Sequence, residues 1–177
     1  MRIHAVLVAA LAALAACQPF ADAPEPAEQP VALTQLPDQL ISGEVMAIAY
    51  SGFREGQHPD RGSGAVNPSD AEILEDLTIL AGHGFGLIRM YDTGENTATT
   101  LRLIREHEIP IKVLLGIWLR AEISNHEGCA WLDEPIPDAE LAANRILNAE
   151  EIARGIQMAA EYQDIIVAVN VGNEALV

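Results

Sequence analysis

The stretch I-I-V-A-V-N-V-G-N-E, residues 165–174, decides how the rest of the chain is read. Its first seven residues are almost all apolar and β-branched, without the alternation of a half-exposed strand. A near-continuous run of this length suits a parallel strand buried on both faces. The polar Asn173-Glu174 pair follows at once, with Gly172 permitting close backbone approach just before it. In parallel α/β architectures the C-terminal ends of the strands share one face, and that face carries the chemistry. Burial at such a place raises the pKa of a carboxyl, as a general acid requires near neutral pH. The competing reading of Glu174 is a solvated glutamate near the chain end.

Working outward, three other segments have the same texture: Glu44 to Tyr50, Gly86 to Tyr91 and Pro110 to Trp118. Between them the spacing turns helical. Ser69 to Ala81 carries Ile73, Leu74, Leu77, Leu80 and Ala81 on one stripe, and Ser69 with Glu72 forms an S-x-x-E capping box. Thr97 to His107 carries Leu101 and Ile104 before Pro110 forces extended backbone. Asn148 with Glu151 is expected to open a third helix, with Ile152, Ile156 and Ala159 facing inward. Leu119 to Leu147 is long for a connection and has room for a short helix over 139–145. The order β-α-β-α-β-α-β, under the right-handed crossover rule, gives a parallel sheet covered by helices. It is either an open doubly wound sheet or the first half of a barrel.

The 177 residues fall below the roughly 250 of a complete (β/α)₈ barrel. With 50% apolar and 20% charged residues the bulk of the chain has the composition of a globular domain. A net charge of -16 without a Lys/Arg cluster argues against nucleic acid and favours a neutral or cationic partner. Residues 1–17 have the layout of an export signal, with Arg2 ahead of an apolar run too short to span a bilayer. That run ends in Leu14-Ala15-Ala16-Cys17, which resembles the lipobox of bacterial lipoproteins, where cleavage leaves an acylated Cys17 as a durable membrane anchor. Ordinary secretion, cut at one of the alanines, is the alternative. Gln18 follows the cysteine where an aspartate would argue for inner-membrane retention. With Cys17 acylated, Cys129 has no partner for a disulfide. Residues 18–42, rich in Pro, Ala, Glu and Gln, read as an extended tether, and 43–177 as the folded domain.

The candidate site follows from the strand ends. Tyr50 closes the first strand, Arg89, Tyr91 and Asp92 the second, Trp118 the third, and Asn173-Glu174 the fourth. Aromatic rings beside carboxylates and an amide suit a sugar site, where rings cover the apolar side of a pyranose and polar groups bind its hydroxyls. Core or rim packing is the ordinary alternative for each ring.

A-Y-S-G-F-R-E-G-Q-H-P-D (49–60), L-I-R-M-Y-D (87–92), L-L-G-I-W-L (114–119) and V-N-V-G-N-E-A-L (169–176), taken together and in this order, resemble glycoside hydrolase family 17, especially its bacterial β-1,3-glucanase-like members. The resemblance covers about Gly43 to Val177. It implies a retaining glycosidase on a (β/α)₈ barrel, here its first four β/α units, truncated after strand four. It implies Glu174 as general acid/base and Asn173 as the residue bonding the sugar next to the scissile bond. Tyr50, Arg89 and Tyr91 match positions lining the glycone side of the cleft. The partner implied is a β-glucan, with no cofactor. A retaining mechanism also needs a nucleophilic carboxylate about 5–5.5 Å from the acid, which in this family lies on the seventh strand, beyond these residues. Asp92, two strands away, is a poor substitute. The sequence therefore reads as the N-terminal half of a longer frame. Two alternatives stay open: a non-catalytic carbohydrate-binding envelope lipoprotein, and a cellulase- or mannanase-like relative, since Asn-Glu on strand four is shared across the clan.

Other chemistries lack their signatures. G-H-G-F-G (82–86) precedes a strand and lacks dinucleotide spacing. His58, His83, His107 and His126 are scattered, without zinc-ligand spacing. No G-x-S-x-G elbow and no Walker sequence occurs.

Overall fold

The computed structural model describes residues 45–60, 63–124, 126–128 and 134–173. The apolar runs form four strands, β1 (Met46–Ala49), β2 (Phe85–Arg89), β3 (Lys112–Ile117) and β4 (Ile166–Val171). They alternate with three helices, α1 (Asp70–Gly82), α2 (Glu95–Glu106) and α3 (Asp138–Glu161). All neighbouring strands are parallel, in the order β1-β2-β3-β4. Sequential order with helical crossovers is the arrangement of the first half of a (β/α)₈ barrel; a doubly wound sheet reverses strand order at a switch point, and this one does not.

The capping box at α1 forms as expected: the Ser69 hydroxyl accepts from Glu72 N, and the Glu72 carboxylate accepts from Ser69 N at 2.8 Å. Ile73 and Leu77 on its inner stripe are fully buried, each contributing about 1.5–3 kcal/mol through removal from water. α2 starts at Glu95, two residues before the expected Thr97. The Asp92 carboxylate accepts from Gly94 N at 2.8 Å and organises the first turn in advance of the apolar stripe.

The third helix differs most from its expectation. One helix runs from Asp138 to Glu161, absorbing both the segment over 139–145 and the one expected to open at Asn148. Asn148 and Glu151 are buried in mid-helix, where loop backbone satisfies them; they cap nothing. The inner stripe is Leu141, Asn148, Glu151, Gly155 and Ala159. Ala159 faces inward as expected, but Ile152 and Ile156 are 37% and 63% exposed. Their apolar character invited the opposite reading, and the hydrogen bonds of Asn148 and Glu151 set the helix rotation instead.

Register shows where the layers close. Ile88 on β2 and Leu115 and Ile117 on β3 point to the helix layer and are at most 3% exposed, beneath α1 and α3. Their partners on the outer strands share that face: Ile48 pairs with Ile88, Val169 with Leu115, and Val171 with Ile117. Yet Ile48 is 39% exposed and Val171 62%, so this face is open at the outer strands, although Ile166 at the start of β4 belongs to the core. Gly172 sits just past β4 with a φ of 81°, and its N–H donates to Ile117 O at 2.8 Å, which turns the chain over the sheet edge toward Asn173.

Candidate functional site

Side chains alternate between the sheet's two faces, so residues partnered across the strands share a face. Ala49, Arg89, Leu114 and Ala168 form one such row on the face turned away from the helices, and Gly116 with Asn170 the next row toward the C-terminal rim. Arg89 is the long polar residue of that row. Its Nη2 donates to Asn173 Oδ1 at 2.7 Å, so the last residue of β2 meets the second residue after β4, across β3. The Arg89 guanidinium carbon also lies 4.8 Å from the centroid of the Tyr91 ring, a cation–π contact. Arg89 Nε is buried without a hydrogen-bond partner. Three residues named from the sequence, Arg89, Tyr91 and Asn173, are thus brought together at the C-terminal rim.

This contact fixes the amide. A guanidinium only donates, so the Asn173 oxygen must face it and the NH₂ group turns away from it. Tyr91 reaches the rim because β2's continuation passes closely over Gly116. A Cβ there would meet Tyr91 O at 2.6 Å and Met90 O closer still. The ladder between β2 and β3 ends with Met90 N donating to Leu114 O at 3.0 Å.

Trp118 stands directly after β3 and is 43% exposed. A large, open aromatic at a strand end is available to a ligand's apolar face. Asp92 and Tyr50 lie differently. The Asp92 carboxylate serves the first turn of α2, accepting from Gly94 N and, at 3.5 Å, from the Thr97 hydroxyl. Tyr50 falls on the helix-facing side, one residue past β1. It is 8% exposed within the core cluster, and its hydroxyl donates to Asp76 Oδ2 on α1 at 3.2 Å. Burial, then the Asp76 charge and hydrogen bond, push this phenol well above the ordinary tyrosine range. Arg54 completes the cluster, donating to Asp76 at 2.7 Å, Glu75 at 2.9 Å and Glu72 O at 3.0 Å, which fastens the loop after β1 onto α1. Glu174 and Cys17 lie outside the described residues.

Glu151, Arg154 and Thr93 join the strand ends although the sequence does not single them out for the site. Glu151, 8% exposed, accepts from Thr93 N at 2.8 Å and from Trp118 N at 3.4 Å through Oε1, and from Arg154 through Oε2 at 2.7 Å. Arg154 Nε donates in turn to the Thr93 hydroxyl at 3.2 Å. The only trace of this in the sequence is a glutamate within the apolar spacing of α3, a pattern that also fits a cap. Among the described residues no group of three or more His, Cys, Asp or Glu is disposed to hold a metal ion, and no helix is long and apolar enough to cross a membrane.

The fold is similar to the crystal structure of an endo-laminarinase from Formosa Hel1_33_131, with a TM-score of 0.54 and 26% identity. The match covers 76% of the present chain and 32% of that chain, so these residues correspond to about a third of the laminarinase. No protein-family model and no curated protein matches the chain.

Proposed function

We propose that this chain carries the acid/base half of a retaining glycoside hydrolase, or transglycosylase, of the family 17 type acting on β-1,3-linked glucan. The observation that carries the proposal is the Arg89–Asn173 contact at the C-terminal rim of a parallel half-barrel, immediately before Glu174. Similarity to an endo-laminarinase supports glucan as the substrate class.

In this reading Asn173, its oxygen held by Arg89, presents its NH₂ to a sugar hydroxyl beside the scissile bond. Tyr91 and the exposed Trp118 cover apolar sugar faces. Glu174 protonates the glycosidic oxygen as the C–O bond breaks. A carboxylate nucleophile attacks the anomeric carbon to form a glycosyl-enzyme, and Glu174 then deprotonates the incoming water, or an acceptor sugar in transfer. Asp92 is not assigned as the nucleophile, since its carboxylate serves α2. Acylation of Cys17 would tether the domain at a bacterial envelope; incorporation of a palmitate analogue that Cys17→Ala abolishes is the outcome expected.

The test is titration with laminarihexaose, cellohexaose and mannohexaose, with chromatography of the products. Preference for laminarihexaose supports the reading, and a preference for either other sugar moves the assignment to another branch of the clan. Binding without turnover in a polypeptide that also carries the nucleophile would favour a carbohydrate-binding role. Where laminarin is hydrolysed, Glu174→Gln is expected to lower kcat by about 10²–10⁴-fold while leaving binding largely intact. Unchanged turnover removes Glu174 from its role.

A further inference from the structure

Glu151 is a nearly buried carboxylate that the chemistry above does not use, and its three partners all belong to, or brace, the rim. We propose that Glu151 is a positioning residue for the sugar-binding face, fixing the backbone separation of the Tyr91 and Trp118 segments; the sugar-related part of this inference rests on the functional reading above. The geometry is specific. Backbone pairing between β2 and β3 ends with Met90 N to Leu114 O. Beyond that point, among the described residues, the link between the two strand ends runs through a side chain of a third element: Glu151 Oε1 takes Thr93 N from one and Trp118 N from the other. One oxygen atom therefore stands in for the missing ladder.

The bracing is two-sided. Thr93, 2% exposed, is held through its N–H by Glu151 and through its hydroxyl by Arg154, which also pairs with Glu151 Oε2. The ion pair neutralises a carboxylate whose side chain is 11% exposed, and keeps Oε1 directed at the two N–H groups. Tyr91 lies two residues before Thr93, and Trp118 carries the second N–H itself. A change at 151 thus reaches the two rings through backbone, without the carboxylate touching a ligand. Such a group acts on how well the rings match a sugar chain and not on proton transfer.

The experiment uses the 177-residue chain with Trp131→Phe, leaving Trp118 as the sole tryptophan. Emission wavelength and iodide quenching of Trp118, thermal midpoint, and affinity for laminarihexaose are measured for Glu151→Ala, Glu151→Gln and a control, Leu77→Ala, a fully buried site on α1. Glu151→Ala should shift the Trp118 signal and weaken laminarihexaose binding roughly tenfold, the scale on which ångström displacements of binding groups act. Glu151→Gln, which keeps an oxygen for both N–H groups but sets an NH₂ donor against Arg154, should recover part of both. Leu77→Ala should lower the midpoint without moving either. An unchanged Trp118 signal in Glu151→Ala, or an equal shift in Leu77→Ala, overturns the proposal. Should Glu151→Ala fail to fold, Glu151→Asp replaces it: the shorter chain keeps the charge beside Arg154 but withdraws the oxygen from Trp118 N. Aspartate more impaired than glutamine supports the proposal, and the reverse ranking overturns it. If the unaltered chain binds no laminarihexaose, the sugar reading fails while the Trp118 comparison still decides the role of Glu151.

Discussion

Arg89 Nη2 lies 2.7 Å from Asn173 Oδ1, joining the end of β2 to the residue before Glu174 across the whole width of β3. The bond spans 84 positions in the chain and fixes which way the Asn173 amide faces. Arg89→Ala leaves that amide free to rotate and removes the cation–π neighbour of Tyr91. Loss of a charged hydrogen bond of this type costs the fold about 1.5–3 kcal/mol, and laminarihexaose affinity should fall roughly tenfold, the scale on which displacement of a binding group acts. Arg89→Lys keeps the charge but not the fork, and should recover only part of it. Calorimetric titration checks both variants; an Arg89→Ala chain that binds as the parent does would detach this contact from recognition.

Tyr50 gives the opposite expectation. Its ring is in the core and its hydroxyl on Asp76, so Tyr50→Phe should cost about 0.5–1.5 kcal/mol of stability, one hydrogen bond. Asp76 keeps its partner Arg54 at 2.7 Å. Sugar affinity should not change. Because burial raises the Tyr50 pKa, the unfolded chain loses this proton first, and stability should decline as pH rises past the ordinary value of 10.0. Denaturant midpoints on the alkaline side check this, and the decline should be shallower in Tyr50→Phe.

The contrast between Arg89 and Tyr50 shows what a sequence reading delivers. Four apolar runs and a capping box announce parallel strands and α1 because a strand buried on both faces and a helix N-terminus each have a local signature. Parity along a strand is also local, but it needs the strand's exact frame: one residue's offset separates Ala49 on the rim-forming face from Tyr50 on the helix side. The register of α3 was not legible, because its rotation is set by Asn148 and Glu151 bonding loops that lie 28 to 58 residues earlier in the chain. The duty of the strand-end carboxylate Asp92 to Gly94 N is likewise visible only in three dimensions.

Gly116 should be intolerant of substitution. A methyl there meets Tyr91 C at 2.7 Å and Tyr91 O at 2.6 Å, backbone atoms that cannot swing aside. Gly116→Ala is expected to lose about 1–3 kcal/mol by overpacking and to displace Tyr91. Gly155→Ala meets side-chain atoms of Ile117, Cδ1 at 2.6 Å and Cγ1 at 2.9 Å, which can shift by rotation, and gains about 0.5–1 kcal/mol from better helix propensity. It should therefore be the milder of the two in thermal melts, and only Gly116→Ala should weaken laminarihexaose binding.

Acid stability should depend on Glu72. Ser69 N–H, the Ser69 hydroxyl and the Gln57 amide all donate to this carboxylate, and hold its pKa below the ordinary 4.5. The folded value lies beneath the unfolded one, so the contribution is fully present above about 4.5 and is lost as pH falls through the folded value. Protonation then releases the start of α1 and, through Gln57, the loop that Arg54 fastens to the same helix. Urea midpoints measured from about pH 6 down to about pH 3 should drop for the parent chain across this window. In Glu72→Gln the midpoint should already be lower at pH 6 and change less on acidification, because an amide can still accept from Ser69 N but no longer titrates. Parallel acid limbs for the two chains would place the acid sensitivity in another carboxylate.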